Sequence, residues 1–371
     1  MRLRVKRRSG RALLYVIYVG NFYGTERMAL ATLQALGEYE ERVLLAPDAT
    51  GPKSVVEAAR VAGIKAVRYV TTPWEFTRAV VPFLLRYRNI DLIGTSVAQN
   101  YICWALAKLF FVRLRQLHVI HGGTEDEHAY GRKHHLNRIP VRVVAVSDFV
   151  RQRLIAYGVK REAISVIDNF LSDDDVGASD AMRPPYRPSI PGSRPVDASR
   201  IRVAVVSRIE PIKRIDLLID AIERHGLHEF VFDIYGSGED LPRLRARASS
   251  LPNVTFHGFV PEVAQRLQGA DLLLHLCALE PFGLVILEAF RSRLLVLVPD
   301  RGGAGALVED GVTGLHFAAD DADDLTRALR RIRELSPDAW QSLADAGHAT
   351  LFERYSSVEG ARRYRQALAA A

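Results

Sequence analysis

Apolar runs of strand length alternate with helix-period segments along almost the whole chain, and this alternation constrains the fold most. Helical patterns such as Glu26–Leu36 and Asp148–Tyr157 separate the runs. Strand–helix alternation predicts βαβ units and parallel sheets, so we expect an α/β fold. The runs of the first half are Leu13–Val19, Arg42–Leu45, Ile64–Val70, Leu92–Gly94, Leu117–Ile120, Val143–Val146 and Ile164–Ile167. Those of the second half are Arg202–Val206, Phe230–Ile234, Val254–His257, Leu272–Leu276, Leu294–Val298 and Gly314–Phe317.

The segment Leu171–Arg200 interrupts this alternation. It contains Asp173-Asp174-Asp175, five prolines and scattered Ser and Gly, which is typical of a linker. A chain of 371 residues is also long for one core. We therefore expect one domain over residues 1–170, a linker over 171–200 and a second domain over 201–352.

Two apolar segments could be mistaken for membrane signals. Ala12–Gly20 follows a basic start, as in a secretory signal, but it is short and lacks a small-residue cleavage site, so a buried parallel strand is expected. Tyr101–Phe111 contains Lys108 and is too short to span a bilayer. We expect no transmembrane helix and a cytoplasmic protein, with peripheral contact at the inner face of the membrane left open.

Charge is unevenly distributed. Residues 1–170 hold 26 Lys and Arg against 14 Asp and Glu, or +12, while the remainder holds 24 against 29, or −5. A basic half suggests an anionic partner, such as a membrane surface or a phosphorylated acceptor, although simple solubility is the alternative. No nucleic-acid-binding motif is visible. Cys103 and Cys277 lie in apolar runs and read as buried free thiols of a reducing compartment.

The segment Glu280–Glu288 is the richest in candidate chemistry. A strand is predicted over Ala270–Leu276 and a helix over Leu284–Phe290, with Pro281 and Gly283 in the turn. The turn would present helix N-terminal amides to a phosphate. We expect Glu280 at the strand end and Glu288 about two helical turns further on, roughly on the same face. Such a pair suits the sugar and the ribose of a nucleotide-sugar, but strand–turn–helix units with a Glu at each end are common.

Three further loops follow strands of the second half. Arg208 and Lys213 could bind a diphosphate there, or form a solvated basic loop. Gly236-Ser237-Gly238 could admit a base or phosphate to the backbone, or be a plain turn. Asp300–Gly303 has the same ambiguity.

In the first half, two segments are candidates. Gly24 lies in the loop that opens the helix after the first strand, where amides could meet a phosphate or sugar. His121 ends the strand Leu117–Ile120 and would point into a cleft, with a buried structural histidine as the alternative. The neighbouring histidines have no metal-ligand spacing, and no strong Asp-x-Asp motif ends a strand, so no metal site is predicted.

Together these segments resemble glycosyltransferase family 4, a family of retaining enzymes of the GT-B fold, of the bacterial envelope or exopolysaccharide type. The second half carries the resemblance densely and the first half more loosely. The matching segments are Arg208, Lys213, Gly236–Gly238, Asn253–Val260, Ala270-Asp271, Glu280–Glu288, Gly311–Leu315, Gly24–Arg27, His121-Gly122 and Val146-Ser147. The resemblance implies two Rossmann-like domains with parallel sheets facing across a cleft, and a closing helix over residues 353–371 that returns to the first domain.

The resemblance also implies roles. Glu280 would contact the donor sugar and Glu288 the ribose, while Arg208 and Lys213 would contact the diphosphate. The amides near Phe282, Gly283 and Leu284 would share that contact, and His121 would lie beside the reacting sugar. The implied reaction is retaining, metal-independent transfer from a UDP- or GDP-sugar to a lipid-linked or cell-envelope saccharide, without a cofactor.

Departures from the family pattern keep two alternatives open. The first loop offers Gly24 where the family has two adjacent glycines, Ser207 and Arg214 replace usual glycines, and Ala306 stands where a Glu is common. One alternative is a sugar-nucleotide epimerase of the same fold, which would need an acid/base pair and no acceptor. The other is a catalytically silent partner subunit that binds a nucleotide-sugar.

Overall fold

The computed structural model of the protein describes residues 7–49, 54–122, 129–172, 200–260 and 263–371. The chain divides into two compact units. The first runs up to Ser172 and also takes in Ser356–Ala371, and the second ends at Tyr355. The predicted linker 171–200, with its three aspartates, lies outside the described residues except at its ends.

The first unit is built on a seven-stranded parallel sheet of order β3-β2-β1-β4-β5-β6-β7. Its strands are β1 Arg8–Val16, β2 Glu41–Ala46, β3 Lys65–Arg68, β4 Tyr87–Gly94, β5 Arg113–Ile120, β6 Arg142–Ala145 and β7 Ile164–Val166. Leu14 of β1 pairs with Val43 of β2 and Leu92 of β4. The apolar run after the basic start is thus a central strand, and residues 12–17 are essentially inaccessible to solvent, as expected for a sheet covered on both faces.

Helices cover this sheet in two layers. They are α1 Gly24–Ala35, α2 Val55–Val61, α3 Pro73–Arg86, α4 Val97–Leu109, α5 Asp148–Ala156 and, from the chain end, α13 Ser357–Ala369. α1 contacts α2 and α13, whereas α3 contacts α4. Right-handed crossovers explain this, because β2 and β3 lie on one side of β1 while β4 and β5 lie on the other.

The second unit has a six-stranded parallel sheet of order β10-β9-β8-β11-β12-β13. Its strands are β8 Ile201–Val206, β9 Phe230–Tyr235, β10 Val254–Gly258, β11 Leu272–Leu274, β12 Leu295–Pro299 and β13 Leu315–Phe317. Its helices are α6 Ile215–His225, α7 Leu241–Arg247, α8 Val263–Leu267, α9 Leu284–Arg291, α10 Gly302–Leu307, α11 Ala322–Arg333 and α12 Pro337–Arg354. Its core joins the apolar residues of β8, β9, β11 and β12 to those of α6 and α11.

Every predicted strand overlaps a strand of the structure, and both sheets are parallel, so the α/β prediction is confirmed. The early residues of β4 were missed because Asp91 interrupts the apolar pattern. Asp91 is 1% exposed, and Arg115 of β5 donates to its two oxygens at 2.7 and 2.5 Å. A buried charge with a cross-strand partner is invisible to hydropathy alone.

The closing segment differs from the prediction of a single helix over 353–371. α12 ends at Arg354 and α13 begins at Ser357, because the Ser356 hydroxyl accepts from the Glu359 amide at 3.4 Å and caps a new helix. α13 packs within the first unit. There Arg363 donates to Asp168 at 2.8 Å and Arg365 donates to Glu38 at 2.7 Å.

Candidate functional site

Glu280 lies in the loop between β11 and α9. β11 ends at Leu274, two residues before the predicted end, and α9 begins at Leu284. Gly283 caps that helix with φ = 101°, a conformation that favours glycine. Glu280 therefore precedes the helix, and only Glu288 lies on it. The helix start at Leu284, with Pro281 and Gly283 in the turn before it, is as predicted, and the expectation that Glu288 lies roughly on the same face as Glu280 stays a prediction.

Lys213 meets Glu280 at the carboxyl edge of the sheet. Lys213 ends a short turn of 3-10 helix after β8, and β8 neighbours β11. Its Nζ donates to Glu280 Oε2 at 2.7 Å, and the two side chains are only 10% and 17% exposed. The structure thus joins two of the predicted site residues in a buried ion pair.

His275 is a third member of this cluster, and the sequence reasoning missed it. Its Nε2 lies 3.5 Å from the same Glu280 oxygen, and its side chain is 5% exposed. Among the described residues this nitrogen has no hydrogen-bond partner. The available signal was a polar residue directly after an apolar strand and five positions before the glutamate.

The pKa values show why the pair stays ionised. Burial alone raises the pKa of Glu280, but His275 and then Lys213 outweigh it and hold this pKa well below its usual range. Burial lowers the pKa of Lys213, but the charge of Glu280 outweighs it and the net shift is upward. Cys277, close to both, has a raised pKa because its thiol is buried. The site therefore presents a fixed carboxylate and a fixed ammonium at neutral pH.

Arg208 is not part of this ion pair. Its guanidinium donates to Glu210 Oε1 at 2.5 Å, and its side chain is 56% exposed. Exposed pairs contribute little, on the order of 0–1 kcal/mol, so Arg208 can exchange this partner for a ligand at small cost.

Gly236 supports the loop that carries Arg208 and Lys213. A Cβ on Gly236 would lie 1.8 Å from the Ser207 carbonyl oxygen, and the Ile209 amide donates to the Ser237 carbonyl at 2.9 Å. The glycine is required for this close approach of two backbones. Direct ligand contact at Gly236 stays a prediction.

The Asp300–Gly303 loop holds the backbone of Glu280. The Gly303 amide donates to the Glu280 carbonyl oxygen at 2.7 Å. This loop therefore positions the carboxylate through the main chain.

The start of α9 completes the site in the second unit. The first amides of a helix, here those of Leu284 and Val285, have no intrahelical acceptor and carry partial positive charge, while the Ile286 amide donates to the Gly283 carbonyl oxygen at 2.9 Å. Phe282 is buried and packs edge-to-face on Tyr355, with ring centroids 6.0 Å apart. Glu288 is 5% exposed, so its carboxylate is held inside the unit rather than in solvent.

The predicted residues of the first unit also lie at a carboxyl edge. His121 follows β5 directly, and burial lowers its pKa to about 4, so its imidazole is neutral at pH 7. Its Nε2 is buried without a hydrogen-bond partner among the described residues. Gly24 is the first residue of α1, where Glu26 accepts from the Tyr23 amide at 3.0 Å. Gly123, next to this site in the sequence, lies outside the described residues.

Thiols, metal-ligating side chains and long helices complete the description of the two units. Cys103 and Cys277 are buried free thiols, as predicted. Over the described ranges, the histidines, cysteines and carboxylates nowhere form a group of three that could hold a metal ion. No helix within those ranges is both long and apolar enough to cross a membrane.

Two Rossmann-like units, each built on a parallel sheet, are the architecture of the GT-B class of glycosyltransferases. Two family models match the chain. "Glycosyltransferase Family 4" covers residues 23–175 and "Glycosyl transferases group 1" covers residues 187–347. The chain belongs to this glycosyltransferase family, which confirms the resemblance seen in the sequence.

Among curated relatives, the chain is 28% identical over 231 residues to the lipopolysaccharide core biosynthesis glycosyltransferase LpsE of Rhizobium meliloti. It is 28% identical over 243 residues to the GDP-mannose-dependent alpha-mannosyltransferase of Mycobacterium tuberculosis. These matches cover 61% and 62% of this chain. They span 64% and 60% of the relatives, less than two thirds of their length.

Among solved structures, HepE of Anabaena in complex with UDP and glucose superposes with a TM-score of 0.79 at 19% identity, over 97% of this chain and 100% of that one. The lipopolysaccharide outer core galactosyltransferase WaaB superposes with a TM-score of 0.71 at 17% identity, over 97% and 99%. At these identities the likeness establishes the fold.

Proposed function

We propose that the protein is a retaining glycosyltransferase that moves a sugar from a nucleotide-diphosphate sugar to a hydroxyl of a lipid-linked or cell-envelope saccharide. The observation that carries this proposal is the buried Lys213–Glu280 pair, 2.7 Å apart at the carboxyl edge of the second sheet. Removing two charges from water costs free energy. In a site for a nucleotide-sugar, the ammonium would bind the anionic diphosphate and the carboxylate would bind hydroxyls of the sugar.

Lys213 can serve the donor without releasing Glu280. An ammonium has three N–H donors, and Glu280 uses one of them. A phosphate oxygen can accept from another, while Arg208 leaves Glu210 and the first amides of α9 add partial positive charge. These groups oppose the negative charge that develops on the departing diphosphate.

Glu280 keeps its charge for the sugar. A carboxylate that is ionised at all working pH values accepts hydrogen bonds from sugar hydroxyls, and His275 contributes to this by lowering its pKa. Glu288, buried on α9, takes the ribose hydroxyls in the same proposal. In the same proposal, His121 contributes a neutral hydrogen-bonding group to the reaction.

The proposed transfer occurs in one stage, without a covalent bond between the sugar and the enzyme. The acceptor oxygen forms the new bond to the anomeric carbon, and the bond from that carbon to the diphosphate oxygen breaks. Both events occur on the same face of the sugar, and the departing phosphate takes the acceptor proton. We expect no metal requirement, because Lys213, Arg208 and the helix start supply the positive charge.

The comparisons suggest which donors and acceptors to test first. HepE has been solved with UDP and with UDP-glucose, and a curated relative is named for GDP-mannose. LpsE and WaaB are named for lipopolysaccharide core synthesis. UDP- and GDP-sugars with lipid-linked core saccharides are therefore the first candidates.

The test is product analysis by NMR. Purified protein is incubated with each UDP- or GDP-sugar and lipid-linked saccharide acceptors, with and without EDTA. We expect one donor to give an α- or β-linkage matching its own anomeric configuration, unaffected by EDTA, and Glu280→Gln to abolish the product. A product without acceptor, in which the donor sugar is epimerised, would contradict the proposal. Donor binding without any transfer would favour the silent subunit.

A further inference from the structure

The segment between residues 76 and 122 has an unusual charge balance. It contains six Lys and Arg residues but a single carboxylate, Asp91. Asp91 is buried and bound by Arg115, so this stretch of α3, α4 and the strand starts exposes no carboxylate of its own. Among the described residues, no carboxylate lies within ion-pair distance of Arg88, Lys108 or Arg113. Arg78 and Arg86 do meet Glu75 and Glu41, at 4.0 and 3.5 Å.

The same surface exposes large apolar side chains. Phe111 is 91% exposed, Leu109 68% and Leu85 36%. Each helix follows one parallel strand and leads into the next, so α3 and α4 both end at the amino edge of the sheet, where these three residues lie. We call this surface the α3–α4 face and define it by Leu85, Trp104, Lys108, Leu109 and Phe111.

Phe111 has a backbone conformation that is unfavourable for a phenylalanine. It follows the last turn of α4 with φ = 53°, and its amide donates to the Lys108 carbonyl at 3.3 Å. Helices often end with a residue of this left-handed conformation, which is usually Gly or Asn. A phenylalanine here strains the backbone and is 91% exposed, so packing within the unit does not account for its side chain.

Trp104 and Lys108 give the face a mixed character. The Lys108 ammonium lies 4.2 Å from the centroid of the Trp104 ring. Apart from Lys108, α4 carries no charged residue. An aromatic ring beside a flexible cation is the pairing that favours a membrane–water boundary, where the ring enters the headgroup level and the ammonium extends to phosphate.

We propose that the α3–α4 face docks on an anionic membrane surface. Cations and exposed aromatic and aliphatic side chains together match lipid headgroups above acyl chains. A second copy of the chain fits less well, because a two-fold interface would place this positive surface against itself. The inference rests on the proposed function, since it names the surface that brings the enzyme to a lipid-linked acceptor.

The experiment is vesicle flotation of the full chain at low salt. Vesicles of phosphatidylcholine are compared with vesicles that contain one quarter phosphatidylglycerol. We expect binding to the anionic vesicles only, and weakening as salt rises. Lys108→Gln should weaken it about fivefold, the equivalent of one cation near the surface. The double variant L109S/F111N should weaken it by at least about tenfold, because it removes the two most exposed apolar groups of the helix end.

The matched control is Val61→Ser. Val61 is 86% exposed on α2, in the opposite helix layer, and its loss should leave binding unchanged. Asn at position 111 suits the left-handed backbone, so F111N should fold at least as well as the parent. Light scattering of each protein gives its mass in solution.

Three results would overturn the inference. They are unchanged binding of L109S/F111N, equal loss in V61S, or a parent dimer that L109S/F111N converts to monomer. Calorimetric titration with UDP and GDP separates this from the proposed function. If vesicles bind as expected but neither nucleotide does, the donor assignment fails while the docking surface stands.

Discussion

The Lys213–Glu280 pair allows a quantitative prediction about stability. Removing one member of a buried ion pair leaves an uncompensated charge, which costs about 3–5 kcal/mol in fully buried cases. Since these side chains retain 10% and 17% exposure, we expect Glu280→Gln and Lys213→Met each to lower the free energy of unfolding by roughly 2–4 kcal/mol. The double variant K213M/E280Q should lose much less than the sum, because neither charge remains.

Trp340 provides the assay. It is one of three tryptophans and is buried in the core of the second unit, whereas Trp74 and Trp104 belong to the first. In a W74F/W104F background, urea unfolding followed by fluorescence reports the second unit alone. Asp345→Asn is the control, because it breaks the partly exposed pair with Arg293, and its effect should stay within about 0.5 kcal/mol.

The pH dependence of the same variants checks the cause. The pKa of Glu280 is below its ordinary value of 4.5, so the stability it contributes is present above about pH 4.5 and lost as the pH falls. The pKa of Lys213 is above its ordinary 10.5, so its contribution is lost only as the pH rises beyond that value. Between pH 5 and pH 3 the free energy of unfolding should therefore fall less in E280Q than in the parent. We expect the difference between the two decreases to be about 1.4 kcal/mol or more, which corresponds to a shift of one pKa unit. Single-variant effects within 0.5 kcal/mol, or a double variant equal to their sum, would refute the reasoning.

Three further predictions follow from individual side chains. His275→Phe should decrease kcat by a larger factor than it changes KM. His275→Gln keeps a hydrogen-bond donor near Glu280, so its kcat should lie between those of the parent and of His275→Phe. Equal kcat values in the two variants would contradict this. Gly236→Ala should destabilise the second unit in urea by at least about 2 kcal/mol, because its Cβ would clash with the Ser207 carbonyl oxygen. Gly269→Ala should not, because a Cβ there would lie 3.8 Å from the Arg266 carbonyl oxygen, an ordinary contact distance. Cys103 and Cys277 should resist a thiol reagent at pH 8 in the native protein and react in urea, because burial raises the pKa of both thiols; fast native labelling would contradict their burial.

Much of the fold could be predicted because buried parallel strands are easily recognised in a sequence. Buried on both faces, they appear as apolar runs such as residues 12–17, and their carboxyl ends locate the loops that carry Lys213 and Glu280. The neighbouring positions of β8 and β11 then follow from topology, and the family resemblance supplies the roles.

What was missed depends on tertiary partners. Asp91 hides the start of β4 because its charge is neutralised from another strand. The cap at Ser356 divides the closing segment, a local signal that the apolar pattern outweighed. His275 becomes a site residue only through its distance of 3.5 Å to Glu280. None of these can be derived from periodicity.

The central claim is that Lys213 belongs to a site for the diphosphate of a nucleotide-sugar. Isothermal titration with UDP and GDP, at fixed salt, tests it on the parent, on Lys213→Met and on Arg327→Met, an exposed charge-loss control in the same unit. The account predicts that the parent and R327M bind one of the nucleotides alike, and that K213M binds it at least about tenfold more weakly, since a charge-assisted hydrogen bond to phosphate contributes about 1.5–3 kcal/mol. Equal affinity of K213M and the parent would contradict it.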